Sequence, residues 1–172
     1  MKHREVYRVW GRKTREPERF ERWLMEDRLG LGKLRNGTRA QQFAIYENLE
    51  NAARAPFDTD AKVSVLSSLF SASNPQKSLL VLNALLEMAK DGSEHAREKF
   101  ESLAVKWVED PTIRHLSMRE WTKGLLMALR AADELDSPGL KRELKRVSER
   151  DPEAGVQIMF WMGAAKLGCG VL

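Results

Sequence analysis

The side chains of this sequence that could do chemistry most directly are three histidines and one cysteine. His3, His95 and His115 are scattered, and none has a second metal ligand four residues away or within a short loop, so the sequence predicts no metal site. Cys169 lies between two glycines without an adjacent base, which favours an idle or buried thiol over a nucleophile. A single cysteine cannot form a disulfide within the chain, so we expect a reducing, cytoplasmic environment.

Motifs for nucleotide binding and hydrolysis are incomplete. Gly32 and Lys33 are followed by Leu34, and Asp27 stands where a phosphate-binding loop needs its first glycine. No G-x-S-x-G motif is present, and the carboxylates lie at helix starts or beside arginines, where they cap and pair. We therefore expect neither catalytic activity nor a cofactor. A small helical enzyme or toxin remains an alternative, because a distributed site need not be recognisable in one sequence.

The two ends of the sequence lack the patterns typical of targeting and membrane-spanning segments. Met1 is followed by charged residues and no apolar run precedes Pro17, so we expect no secretory signal. Residues 155–172 are apolar apart from Gln157 and Lys166, but the run contains four glycines and only just reaches the ~18-residue minimum for a membrane span. We expect Val156, Met159, Phe160 and Trp161 to pack into the bundle or into a neighbouring subunit instead.

Positive charge is concentrated at the start of the chain. Residues 1–42 hold 12 Lys and Arg against 6 Asp and Glu, whereas the remaining 130 residues hold 17 against 19. Such asymmetry is typical of a protein that contacts phosphates with one face, although Arg alternating with Glu is equally typical of an ordinary solvated helix.

A second basic cluster places like charges four residues apart on one predicted helix, Lys141 with Lys145 and Arg142 with Arg146. Pairs at this spacing repel by roughly 0.2–0.5 kcal/mol, and an anionic partner would explain why they are tolerated. The predicted nucleic-acid-binding residues are Arg8, Arg12, Lys13, Arg15, Arg19, Arg22, Lys33, Arg35, Arg39, Lys141, Arg142, Lys145 and Arg146.

Helix start signals recur along the whole chain. They lie at residues 14–17, at Thr38 with Gln41, at Asp58 or Thr59, at Asn74-Pro75, at Ser93, at Ser117 with Glu120, at Ser137-Pro138 and at Asp151-Pro152. The second of these helices should run to about Ala55 and stop at Pro56. Residues 79–88 are apolar all round, so this helix should lie at the centre of the core.

These signals predict an all-α protein, a single-chain helical bundle of about seven or eight helices. The charge distribution divides it into a basic N-terminal helical module, residues 1–56, and a bundle body, residues 57–172. Whether these form two sub-bundles is left open. The paired helices of residues 58–132 also have a loose likeness to HEAT repeats.

Aromatic residues alternate with the N-terminal arginines, as stacking residues do in proteins that bind single strands. Phe20 and Trp23 share the apolar face of a predicted helix, so packing in the core is the better explanation for them. For Tyr7 and Trp10, stacking on a nucleic-acid strand and packing in the core are equally good explanations.

Three segments of the sequence match motifs of one known protein family, and they follow one another in the same order as in that family. Residues 152–161 read P-E-A-G-V-Q-I-M-F-W, residues 17–24 contain F-x-x-W-L, and an apolar helix at residues 66–89 is followed by the R-E-K-F of residues 97–100. Together they resemble the small subunit of Cascade, the type I-E CRISPR surveillance complex. Residues 140–150 depart from the family pattern, which leaves two alternatives, the equivalent small subunit of another CRISPR effector class or an unrelated helical bundle.

The resemblance implies a noncatalytic helical subunit of a ribonucleoprotein that holds guide RNA, target strand and displaced strand. Its partners would be the other subunits of the effector complex, the guide RNA, the DNA strands and further copies of itself, with no membrane involved. In such complexes sequence is read by base pairing, so the protein needs only backbone contacts from Arg and Lys. The alternative is a HEAT-like protein-protein adaptor that binds no nucleic acid.

Overall fold

The computed structural model describes residues 16–26 and 38–166, and it confirms the all-α prediction. Within these segments there are nine α-helices, one turn of 3₁₀ helix at Ala52–Arg54 and no β-strand. The helices are α1 (Glu16–Met25), α2 (Thr38–Glu50), α3 (Thr59–Leu69), α4 (Pro75–Lys90), α5 (Glu94–Glu109), α6 (Pro111–Leu116), α7 (Met118–Glu134), α8 (Pro138–Arg150) and α9 (Pro152–Lys166). None of the helices in the described segments is long and apolar enough to cross a membrane.

Short polar side chains begin the helices from α3 onward, as the sequence predicted. Asp58, Asn74, Ser93, Ser117 and Ser137 each accept a hydrogen bond from a backbone amide three residues later. Helices α4, α6 and α8 also have proline in their first turn, where no amide donor is needed. Caps of this kind stabilise a helix by about 1 kcal/mol each, so the helix boundaries are encoded locally.

One predicted boundary was wrong. Helix α2 ends at Glu50, not near Ala55, and the 3₁₀ turn follows it before Pro56 is reached. The reason is Lys62 of α3, whose buried ammonium donates hydrogen bonds to the carbonyl oxygens of Ala53 at 2.7 Å and Ala55 at 3.1 Å. Because the carbonyl oxygens of Ala53 and Ala55 bond to a side chain of another helix, the backbone turns away from the axis of α2 before it reaches Pro56.

The sequence signals did not predict helix α6, which begins directly after α5 at Pro111. Asp110 ends α5, and its side chain also accepts a hydrogen bond from the amide of Thr112 at 2.8 Å, which starts a new short helix at Pro111. A proline that cannot continue one helix is well suited to begin another. Helix α6 then buries Ile113 completely, so it is part of the packed body.

Helix α4 lies at the centre of the core, as its sequence predicted. It packs against α2, α3, α5, α7 and the 3₁₀ turn, and Val81, Leu82 and Leu85 are fully buried. One hydrophobic cluster continues from Phe20 in α1 to Ile158 in α9. A core of this extent holds the helices in fixed positions, because packed interiors are as dense as organic crystals.

The N-terminal aromatic side chains of α1 belong to this core. Phe20 is fully buried, and its ring lies 5.7 Å from that of Trp23 and 5.4 Å from that of Phe57. Trp23 is half-buried and packs edge-on against Phe57 at 6.0 Å. Core packing is therefore confirmed for Phe20, and Trp23 covers it. Tyr7 and Trp10 lie outside the described residues.

Candidate interaction surfaces

The second predicted basic cluster forms a row on the outside of α8. This basic row consists of Lys141, Arg142, Lys145 and Arg146, and all four side chains are exposed. Lys141 Nζ lies 2.8 Å from Asp133 at the end of α7, and that hydrogen bond raises the pKa of Lys141. Arg146 Nη1 lies 2.7 Å from Glu143 on its own helix. These two cations are therefore already partnered within the chain.

The other two cations of the basic row also have acidic surroundings. Lys145 Nζ lies 4.0 Å from Glu149. Arg142 has no ion pair in the described part of the chain, but it lines a cavity of about 420 Å³ with Glu98, Glu101 and Glu143. Carboxylates on α5, α7 and α8 therefore reduce the repulsion within this row, so tolerating the like-charge pairs does not require an external anion, and binding of nucleic acid by the row stays a prediction.

The predicted residues of the N-terminal module fall into two groups. Arg19 Nη1 lies 2.8 Å from Glu16, and Arg22 is exposed on the same helix. Helix α1 packs against α2 and α3, whereas α8 packs against α5, α7 and α9, so these arginines and the basic row have different neighbouring helices. The backbone of Arg39 lies in α2. Six predicted residues lie outside the described residues: Arg8, Arg12, Lys13, Arg15, Lys33 and Arg35.

The formal charges of the described and undescribed segments have opposite sign. Residues 16–26 and 38–166 contain 20 Lys and Arg against 23 Asp and Glu, a net charge of −3. Residues 1–15 and 27–37 contain 9 Lys and Arg against 2 Asp and Glu, a net charge of +7. Nucleic-acid contacts would therefore depend on these two short segments far more than on the helical body.

Lys62 is the buried titratable group that most resembles a catalytic one. It lines a cavity of about 450 Å³ with Thr59, Asp91 and Ser93, and burial lowers its pKa, although the charges of Asp91 and Asp58 oppose that shift. A lysine with a lowered pKa is a possible nucleophile or base. Here the ammonium already donates to two backbone carbonyls, so the side chain acts as a helix cap. The sequence does not reveal this role of Lys62, because its carbonyl partners come within reach only through tertiary contacts.

A buried arginine joins α6 to the start of α9. The side chain of Arg114 is 7% exposed, and its guanidinium lies 2.9 Å from Asp151 and 3.0 Å from Glu153. It also lies 5.6 Å from the ring centre of Trp121, which is cation-π distance. This cluster ties three helices together, so we interpret it as structural.

Helix α9 exposes an apolar stripe. The apolar stripe consists of Val156, Met159 and Phe160, which are 67%, 67% and 61% exposed. The opposite face of the helix is fully buried at Ala154 and Ile158. Of the two predicted destinations, the bundle is therefore excluded for these three side chains, because α7 and α8 cover only one face of the helix, and packing into a neighbouring subunit stays a prediction.

An apolar groove lies beside the stripe, between α7, α8 and α9. This C-terminal groove has a volume of about 630 Å³. It is lined by Leu126, Leu129, Arg130, Ala132, Asp133, Lys141, Leu144, Lys145, Ser148, Met159, Trp161 and Met162. Met159 belongs to both the groove and the stripe, so the two form one continuous apolar surface at the C-terminal edge of the bundle.

Possible metal ligands are not grouped on these surfaces. Among the described residues, no three His, Cys, Asp or Glu side chains lie close enough together to hold a metal ion. His95 Nδ1 lies 2.9 Å from Asp60, which is a two-residue contact, and His115 is exposed at the end of α6. His3 and Cys169 lie outside the described residues.

The chain has no match among protein-family models, curated proteins or solved structures. Its function is therefore inferred from its own residues and surfaces.

Proposed function

We propose that this chain is a noncatalytic assembly subunit, which docks onto a second protein chain through the apolar stripe of α9. The observation that carries the proposal is the exposure of Val156, Met159 and Phe160 on one face of a helix whose other face is firmly packed. Contiguous exposed apolar side chains are characteristic of interaction sites in proteins that stay in solution. A packed helical body with an apolar edge suits an adaptor or a subunit of a larger complex.

The free energy that burial of these three side chains would contribute favours docking over a chance surface feature. Burying a Val, Met or Phe side chain contributes about 1.5–3 kcal/mol, so three of them supply much of the energy of a modest interface. Phe160 is also held edge-on against Trp161 with ring centres 5.0 Å apart. An anchor that is already ordered loses little conformational entropy on binding.

The docking proposal is tested first with a second copy of the chain as the partner. We expect purified protein to self-associate in a sedimentation-velocity concentration series, and Phe160→Glu to raise the dissociation constant at least about 100-fold, because it would bury an unpaired carboxylate. Leu116→Glu is the matched control, since Leu116 is 58% exposed but lies on α6. A chain that is monomeric at every concentration, or a Phe160→Glu variant that associates like wild type, would contradict docking between copies.

A second candidate function is the one that the resemblance implies, a small subunit of a CRISPR ribonucleoprotein that contacts guide RNA and DNA through its basic residues. The specific observation in its favour is the net charge of +7 in residues 1–15 and 27–37. Phosphate contacts need Lys and Arg without competing carboxylates, and these two segments supply them. Nucleic acid that copurifies with the chain, measured by the ultraviolet absorbance ratio, would favour this function over a pure protein adaptor.

The contribution of the basic residues is tested by salt titration of single-stranded DNA binding in the assembled complex. We expect the combined change of Arg12, Lys13, Arg15 and Arg39 to alanine to weaken binding and to reduce the slope of log K against log salt by about 0.7 for each lost phosphate contact. The control is a fourfold alanine variant of the basic row, which we expect to have a smaller effect because its cations already have acidic neighbours. An unchanged slope in the first variant would rule out this candidate.

A further inference from the structure

Two methionine side chains lie next to each other on the exposed surface of α9. Met159 is 67% exposed and Met162 is 43% exposed. They are three residues apart in the helix, so their side chains are neighbours on its surface. Both line the C-terminal groove, and Met159 also belongs to the apolar stripe. The surface that we propose for docking therefore contains two accessible thioether groups.

The other methionines of the described segments differ from this pair in burial or in grouping. Met88 is 3% exposed in the core, and Met127 is partly buried against it. Met25 and Met118 are 53% and 50% exposed, but each lies alone, on α1 and at the start of α7. Among the described residues, two exposed methionines within one helical turn occur on α9 alone.

A thioether reacts with a hydroperoxide in one two-electron step. The sulfur lone pair attacks the terminal oxygen, the O–O bond breaks and an S–O bond forms. The hydroperoxide is reduced to an alcohol, or to water in the case of hydrogen peroxide, because the proton of the transferred oxygen moves to the departing one. The product, methionine sulfoxide, replaces a flexible apolar side chain with a polar one, which disrupts interfaces that contain methionine.

From the paired exposure of these side chains on the docking surface, we propose that Met159 and Met162 are an oxidation site through which hydroperoxides control docking. This inference rests on the docking function proposed above and adds its regulation. In the reduced state both side chains are apolar and can be buried by the partner chain. In the oxidised state each new oxygen would lose its hydrogen bonds to water on docking, so the dissociation constant rises. Methionine sulfoxide reductases reverse the step, which makes the control reversible.

The test measures self-association of the full chain by sedimentation velocity before and after treatment with hydrogen peroxide. Every chain carries Cys169→Ser, so that its single thiol cannot react. Peptide mapping by mass spectrometry follows the oxygen that each methionine gains, and we expect Met159 and Met162 to react well before the buried Met88. The dissociation constant should then rise about tenfold or more and return after treatment with the two sulfoxide reductases, one for each epimer.

Two leucine variants assign the effect to the proposed site. Each variant is compared with itself, as the ratio of its dissociation constants after and before peroxide. The combination of Met159→Leu and Met162→Leu removes both sulfur atoms at nearly constant side-chain volume, so its ratio should be close to one. Met118→Leu is the matched control, since Met118 is exposed to a similar degree but does not line the groove, and its ratio should equal that of wild type.

The failure of this proposal can be distinguished from the failure of the docking function. A chain that is already monomeric before peroxide is added would contradict both. Unchanged association of a chain that carries an oxygen on both Met159 and Met162 would overturn oxidative control and leave docking intact. The same holds if the double leucine variant responds to peroxide as wild type does, or if Met159 and Met88 are oxidised at equal rates.

Discussion

Replacing Gly124 with alanine is expected to destabilise the protein by about 3 kcal/mol. A Cβ atom at this position would lie 2.5 Å from Cε2 and 2.7 Å from Cδ1 of Trp107, closer than carbon atoms approach in proteins. Trp107 is fully buried and donates from its indole nitrogen to the carbonyl of Trp121 at 3.0 Å, so the ring cannot turn aside without losing that bond. Overpacking costs about 1–3 kcal/mol and a buried donor left unpaired about as much again. The higher helix propensity of alanine offsets only about 1 kcal/mol of this cost.

The measurement is urea unfolding followed by circular dichroism, with Gly139→Ala as the matched control. Gly139 also lies in a helix, but a Cβ there would meet its nearest neighbour, Ser137 Oγ, at an ordinary 3.9 Å. We expect this control to be neutral or slightly stabilising. If Gly124→Ala unfolds at the same urea concentration as wild type, the close packing of α5 on α7 at this point is refuted.

Helix starts could be predicted because their determinants are local. The side chains of Asp58, Ser93 and Ser117 bond to amides only three residues away, so the spacing in the sequence contains all the information. The end of α2 could not be predicted in this way. It depends on Lys62, whose carbonyl partners lie seven and nine residues before it and come within reach only after α3 packs on the turn.

The location of the basic row could be predicted, but its charge balance was misjudged for two reasons. Glu143 and Glu149 lie three and four residues from their partners on the same helix, so the sequence did contain that signal. Asp133 lies on α7, and the turn between α7 and α8 brings it to Lys141. No spacing rule within a single helix identifies a pair of the second kind.

The exposed face of α9 was harder to predict from the sequence than the exposed face of an amphipathic helix. Helix α9 is apolar on all sides, so hydrophobic periodicity does not indicate which face is buried. Packing against α7 and α8 makes the choice, since Ala154 and Ile158 are fully buried whereas Phe160 stays exposed. Tertiary packing therefore decides which residues of the C-terminal run are available to a partner.

Replacing Asp151 with asparagine is expected to destabilise the protein by about 2 kcal/mol at neutral pH. Among the described residues, the 7%-exposed Arg114 would then have only Glu153 as a counter-charge, and the side chain of Glu153 is itself 71% exposed. Removing one partner of a buried ion pair costs roughly 3–5 kcal/mol, and the remaining carboxylate reduces that figure. Asparagine still caps α9 through its amide oxygen, but its NH2 group replaces the oxygen that accepts from Arg114, so this variant removes the charge and that hydrogen bond while it keeps the cap. Asp151→Ala also removes the cap and should cost about 1 kcal/mol more.

The pH dependence of the stability lost in Asp151→Asn identifies the cause of that loss. Burial alone would raise the pKa of Asp151, but hydrogen bonds from Arg114 and from the amides of Ala154 and Glu153 outweigh it, so the pKa of the folded state lies below the ordinary value. A carboxyl group with a lowered folded pKa stabilises the protein above its unfolded pKa of about 3.9, and this contribution is lost as the pH falls through the folded value. The gap in unfolding free energy between wild type and Asp151→Asn should therefore be constant from about pH 5 to 8 and shrink below about pH 4. Glu143→Gln, which breaks an exposed pair, should show little change at any pH. A gap that persists undiminished in acid would mean that the substitution acts through packing and not through the charge on Arg114.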